Sequence, residues 1–219
     1  MFFILKFVSF LMLKRLVAYF GLVRLYSLID IILLLFAAGF YNFEFMGAIF
    51  LHLGFLAYLE YRHNHDYREA VPIIFVSLFL ILGIIFYWHW EVILYLGFSY
   101  LYTLKNNKVI GLLSPFFRGL QHLFLIAAVS GYASFLPYLA FAALGIRNFA
   151  GDMRDVRKDK KERTLTIPIL LGMKKGIKNA HLILILSTTL LWWWLSGLSV
   201  IYLIVAWIIQ ILTYNVTER

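Results

Sequence analysis

Three aspartates, Asp152, Asp155 and Asp159, are the residues of this chain best spaced for chemistry. They lie in the run RNFAGDMRDVRKDKKERTLTIPILLG, residues 147–172, between long apolar segments. Their spacing is three residues and then four. At ~100° per residue a helix turns about −60° and then about +40° across them, so all three carboxylates share one face. Three acids on one stripe repel one another. Six basic residues are close in sequence (Arg154, Arg157, Lys158, Lys160, Lys161 and Arg163), but they are not expected to satisfy a stripe that faces inward. A divalent cation bound to a polyphosphate could. Oxygen ligands of this kind suit Mg²⁺, which typically takes one or two carboxylates plus substrate phosphates.

The elements that must position these acids are apolar. The chain has 219 residues, 63% of them hydrophobic and 14% charged, with a mean hydropathy of +0.86. A soluble domain of this size lacks the polar residues to cover such a surface, so the expectation is an all-α, polytopic membrane bundle forming one domain over 1–219. Apolar segments fall at roughly 25–42, 43–59, 71–88, 91–104, 109–130, 132–146, 178–195 and 197–214, giving about eight spans. Residues 1–24, with Lys6, Lys14, Arg15 and Arg24 among Phe and Leu, are expected to form a retained interfacial helix. Cysteine is absent, which excludes disulfides and thiol chemistry.

The net charge of +9 does not point to nucleic acid. Eight spans place the loops at 60–70, 105–108 and 147–177 on one side with both termini. All Lys and Arg lie on that side or near its ends except Arg118, which sits within a span. This is a positive-inside pattern and makes those loops cytoplasmic in a multi-pass integral membrane protein.

Ionisable groups inside spans are costly and usually functional. Asp30 either faces a cavity or pairs with a basic residue near the mouth of its helix. Arg118 and His122 are one turn apart and share a face. They form an anion- or acceptor-binding pair, unless Arg118 pairs with Asp30 or reaches to the interface. His52 and His181 are expected to be interhelical hydrogen-bonders. Trp88, Trp90 and Trp192–Trp194 are expected at the membrane interface.

The run Asp152-x-x-Asp155-x-x-x-Asp159, followed by Thr166-Ile167-Pro168-Ile169-Leu170-Leu171-Gly172, resembles the second aspartate motif of the UbiA superfamily of intramembrane prenyltransferases. Tyr102-Thr103-Leu104-Lys105-Asn106-Asn107-Lys108-Val109-Ile110-Gly111 resembles the Tyr/Lys segment that opens the fifth helix there, and Arg24-Leu25-Tyr26-Ser27 the lead into helix 1. The order and spacing of these pieces agree over nearly the whole chain. Residue 163 is Arg where quinone-directed members usually carry Gly, and in this the chain looks closest to the digeranylgeranylglyceryl phosphate synthase branch.

Family members also carry a first aspartate motif after helix 2, followed by Arg-Pro. Anchored on Pro72, it aligns with Leu56, Ala57, Glu60 and Asn64, with Val71 in place of the arginine and Asp66 within reach of a local shift. Leu112 stands where the family usually has Asn.

The resemblance implies Mg²⁺-dependent transfer of a prenyl group from a prenyl diphosphate to a lipid-soluble acceptor, geranylgeranylglyceryl phosphate being the best match. Asp152, Asp155 and Asp159 on one side, and Glu60, Asn64 and Asp66 on the other, would hold the metal. Lys105 and Arg147 would contact the diphosphate, and Tyr102, Arg118 and Asp30 the substrates. The competing expectation is a membrane protein of this kind that binds prenyl diphosphate or lipid without turnover, or one directed to an aromatic or quinone acceptor. A small transporter is disfavoured, because its polar groups would gather near the midplane whereas these gather in one-sided loops.

Overall fold

The computed structural model describes residues 24–62 and 71–214. The expected interfacial helix over 1–23, and Asn64 and Asp66, lie outside the described residues. Among those described, all regular structure is helical: α1 (Leu25–Ala37), α2 (Phe43–Arg62), α3 (Ile73–Phe86), α4 (Glu91–Thr103), α5 (Lys108–Ser130), α6 (Leu136–Lys161), a short α7 (Ile167–Leu170), α8 (Lys178–Ser196) and α9 (Val200–Tyr214).

Helix ends are set by local chemistry. Asn107 caps α5, its side chain accepting from the backbone N–H of Val109 and Ile110 at 3.0 and 3.4 Å. Pro72 precedes α3 and Pro137 sits in the first turn of α6, where a missing N–H costs nothing. The C-terminal end of α6 is a Schellman turn: Thr164 N–H donates to Asp159 O at 2.8 Å and Arg163 N–H to Lys160 O at 3.2 Å. That turn needs a left-handed residue, and Arg163 supplies it at φ 56°.

α2, α4, α5, α6, α8 and α1 pack in that order and close on themselves as a ring, since α1 also touches α2. α3 lies outside against α2, and α9 outside against α1 and α8. α3 approaches α2 closely enough that a Cβ on Gly83 would strike the Leu51 side chain, and one on Gly54 that of Leu80. Small residues allow such helix contact without a gap.

Two helices, α2 and α5, are long and apolar enough to cross a membrane. α1, α3 and α9 are apolar but have 13, 14 and 15 residues, about 20 Å at 1.5 Å per residue against roughly 30 Å of hydrocarbon. The apolar segments run past these helices because residues such as Phe40, Tyr41, Tyr87 and Trp88 lie between helices rather than in them. The expected loop after residue 146 is also mostly helix, as α6 runs on to Lys161.

The inside of the ring is divided along its axis. One half is apolar, filled by Leu34, Leu51, Tyr95, Leu125, Leu144 and Trp192 among others. Trp192 is thus a core residue and not an interfacial one, while Trp88, Trp90 and Trp194 are exposed. The other half, at the first residues of α1, α5 and α8 and the last of α2 and α6, carries the charges.

Arg163 adopts a backbone conformation that costs a non-glycine residue roughly 1 kcal/mol. Arg163→Gly is expected to raise the melting temperature in detergent by a few degrees, and Arg163→Ala to leave it near wild type.

Candidate functional site

The end of α6 presents its acids as the spacing requires. Asp152 and Asp159 are buried and Asp155 is nearly so. Each has a cation. Lys105, in the turn between α4 and α5, places its Nζ 2.5 Å from Asp152 Oδ1 and 3.8 Å from Asp159 Oδ2. Ser114 on α5 donates to Asp152 Oδ2 at 3.1 Å. Arg154 clasps Asp155 with two parallel bonds of 2.7 Å and donates to His181 Nδ1 on α8 at 2.9 Å. The basic residues next to the stripe were not expected to satisfy it. Arg154 does, bonding the acid next to it in sequence and His181 on α8.

A cavity of about 70 Å³ opens beside this stripe. Asp152 and Asp155 line it, together with five cations: Arg24, Lys105, Arg118, Arg147 and Arg154. Tyr102 also lines it and donates to Asn148 Oδ1 at 2.8 Å. Four of the five cations carry carboxylates. Arg24 binds Glu60 through Nε and Nη2 at 2.9 and 2.7 Å, Lys105 holds Asp152, Arg154 holds Asp155, and Arg147 pairs with Asp30. Asp30 in turn accepts from Thr189 at 3.1 Å and is fully buried away from the cavity.

Of the residues picked out in the sequence, Asp152, Asp155, Lys105, Tyr102, Arg118 and Arg147 meet at this cavity. Asp159 stands behind Lys105. Glu60 stands behind Arg24, and Asp30 behind Arg147. Arg24, Asn148, Ser114 and Arg154 complete the site. Asn148 was legible: it precedes Asp152 by four residues and so lies on the same face.

Asp152 and Asp155 are carboxylates of the type that Mg²⁺ takes together with phosphate oxygens, and in this structure Lys105 and Arg154 engage them. Asp155 faces the cavity, and Asp159 Oδ2 is buried without a hydrogen-bond partner. Among the described residues no three acidic or histidine side chains converge as a ready-made cage.

Compared with protein-family models, with curated proteins and with solved structures, the chain matches none.

Burial shapes the titration of the stripe. It raises Asp152 above the usual carboxylate range against the pull of Lys105. It raises Asp159 to about 6, again opposed by Lys105 and reinforced by Asp152 and Asp155. Burial also disfavours the Lys105 ammonium, but Asp152, Tyr102 and Asp159 more than compensate and hold it above the ordinary lysine value.

For Asp159 the folded value exceeds the unfolded one, so the folded chain binds more protons between about pH 4 and 6 and this group's contribution falls as pH rises through that window. Asp159→Asn is therefore expected to match wild type near pH 4 and to melt a few degrees above it at pH 7, without added metal. A difference independent of pH, read by thermal unfolding in detergent, would contradict this assignment.

Proposed function

We propose that this chain is a multi-pass intramembrane prenyltransferase of the UbiA type, with the diphosphate of a prenyl donor held at the cavity between α1, α2, α5 and α6. The observation that carries the reading is the cavity itself: arginines and a lysine, interleaved with Asp152 and Asp155, enclosed at one end of an otherwise apolar ring. Such a site has little use for a neutral ligand. It suits a polyanion accompanied by a metal.

The membrane setting is supported by what the outer helices expose. Ile73, Ile74, Leu78, Ile81 and Ile85 on α3, and Ile201, Ile204, Ile208, Ile211 and Leu212 on α9, are exposed. On α9 only Leu203, Ala206, Gln210 and Tyr214, one stripe, turn inward. With the one-sided distribution of Lys and Arg, the charged end of the ring is cytoplasmic.

The chemistry follows from charge. The allylic C–O bond breaks and its electron pair leaves with the diphosphate. The acceptor oxygen closes on the carbon, and its proton passes to the released diphosphate. The barrier falls if leaving-group charge is met where it develops. Mg²⁺, held through Asp152, Asp155 and Asp159, would supply part of that neutralisation. Lys105 and Arg147 contribute fixed donors to the phosphate oxygens, and Tyr102 presents an aromatic face to the allylic cation. A cavity of about 70 Å³ is too small for a prenyl chain, so the prenyl tail runs out between helices into lipid. The best acceptor is geranylgeranylglyceryl phosphate.

A second reading, binding of prenyl diphosphate or lipid without turnover, is favoured by one observation. Lys105, Arg154 and Arg24 already occupy the carboxylates that a metal would use.

The test is Mg²⁺-dependent diphosphate release from geranylgeranyl diphosphate by the protein in lipid nanodiscs, with geranylgeranylglyceryl phosphate as acceptor. Turnover is expected to drop at least 100-fold in Asp155→Ala and to vanish with a chelator. Donor binding without release would select the second reading, and absence of both would sink the proposal.

A further inference from the structure

Arg118 differs from every other cation at the cavity. It is 8% exposed on α5, a helix of spanning length, and among the described residues no carboxylate reaches it. Its guanidinium lies over the Phe55 ring at 4.6 Å and near Tyr102 at 5.8 Å. Its hydrogen-bond partner is the Gln121 side-chain oxygen. Gln121 is itself fixed, donating to Ser99 Oγ at 2.5 Å, and Ser99 donates to Tyr95 O at 2.6 Å. The guanidinium is thus locked in place by neutral groups, with most of its five N–H donors unspent and its charge unbalanced. A buried charge without a counter-charge is strongly disfavoured.

The surroundings repeat the signal. His122, one turn on, donates Nδ1–H to Arg118 O at 2.8 Å, and its Nε2 is buried without a partner. The His52 ring packs 5.6 Å from it, and its Nε2 is likewise buried and unpartnered. Three polar side chains of α2 and α5 are therefore held ready, and the one that lines the cavity is a cation.

Charge is also distributed unevenly. Lys105 serves two acids, Asp152 and Asp159, which leaves that end of the site with an excess negative charge. Arg118 supplies the excess positive charge elsewhere on the wall. The site is thus polarised, with one part that attracts a cation and another that attracts an anion.

We propose that Arg118 is a second anion site, separate from the metal-and-diphosphate end, which receives a phosphate monoester headgroup and so selects an anionic acceptor over a neutral one. That the phosphate belongs to the acceptor rests on the transfer reading above; the anion site does not. The planar fork of Arg118, braced on two aromatic faces, favours a bidentate oxyanion.

The experiment measures thermal stability and affinity of the full chain in neutral phosphatidylcholine nanodiscs with three probes: a lysophosphatidate, the monoacylglycerol of the same chain, and inorganic phosphate. Lysophosphatidate is expected to raise the wild-type melting temperature by several degrees and monoacylglycerol to leave it unchanged. A matching shift with inorganic phosphate would assign a free anion, and a shift with the amphiphile alone a lipid headgroup; both support the site. Arg118→Gln is expected to lose the lysophosphatidate shift, yet without ligand to melt no lower than wild type, because an unbalanced charge has been removed. Arg118→Lys should retain the charge and weaken the amphiphile roughly tenfold through loss of the bidentate fork. It serves as the variant of record if Arg118→Gln does not fold. Equal lysophosphatidate affinity in wild type and either variant, or equal stabilisation by monoacylglycerol, overturns the proposal. Protection that depends on Arg118 without any diphosphate release would leave the anion site standing and remove the transferase. Release with an acceptor KM unmoved by Arg118→Gln would do the reverse.

Discussion

The arrangement of the charged half depends on one contact, the Lys105 ammonium between Asp152 and Asp159. Two carboxylates seven residues apart on one helix face could not both be buried and ionised without a cation between them. Lys105 provides it from a different hairpin, so the same lysine that relieves the repulsion between the two acids also ties the α4–α5 turn to the end of α6. Asn107 starts α5 two residues later and Ser114 then reaches Asp152. The geometry of the cavity wall follows from where that lysine is held.

The other ion pairs do for the remaining helices what Lys105 does for these. Arg24 to Glu60 joins α1 to α2, Arg147 to Asp30 joins α6 to α1, and Arg154 through His181 joins α6 to α8. Between helices whose other surfaces are apolar and interchangeable, such contacts specify which face meets which. Buried pairs contribute little net stability compared with apolar substitutes, and their better-attested value is in fixing register. The apolar half, packed around Trp192 and Tyr95, supplies the cohesion.

Much of this was legible in the sequence, and the rest was hidden for identifiable reasons. The acid stripe followed from spacing alone, and the helices from runs of apolar residues. The segments at 25–42 and 71–88 overshot their helices because Phe40 and Tyr87 are as apolar as their helical neighbours while lying between helices. Trp192 could not be separated from Trp193 and Trp194 by type; only the packing of α8 against the ring buries one and exposes another. Pairings such as Asp30 with Arg147, 117 residues apart, leave no local trace. Either residue alone reads as a site candidate, and it takes the folded arrangement to show that Asp30 is consumed by its partner while Arg118 is not.

The abrupt stop of α6 has an electrical consequence. A helix ending carries about half a negative charge from its aligned peptide dipoles. Asp159 lies in the last turns before the Schellman closure, where acidic side chains are ordinarily avoided and basic ones preferred. The peptide units of the last turn of α6 therefore add to Asp159 instead of opposing it, and Lys158, Lys160 and Lys161 in that turn offset both. The attraction for whatever cation sits there is set by the carbonyls of that last turn as well as by side chains.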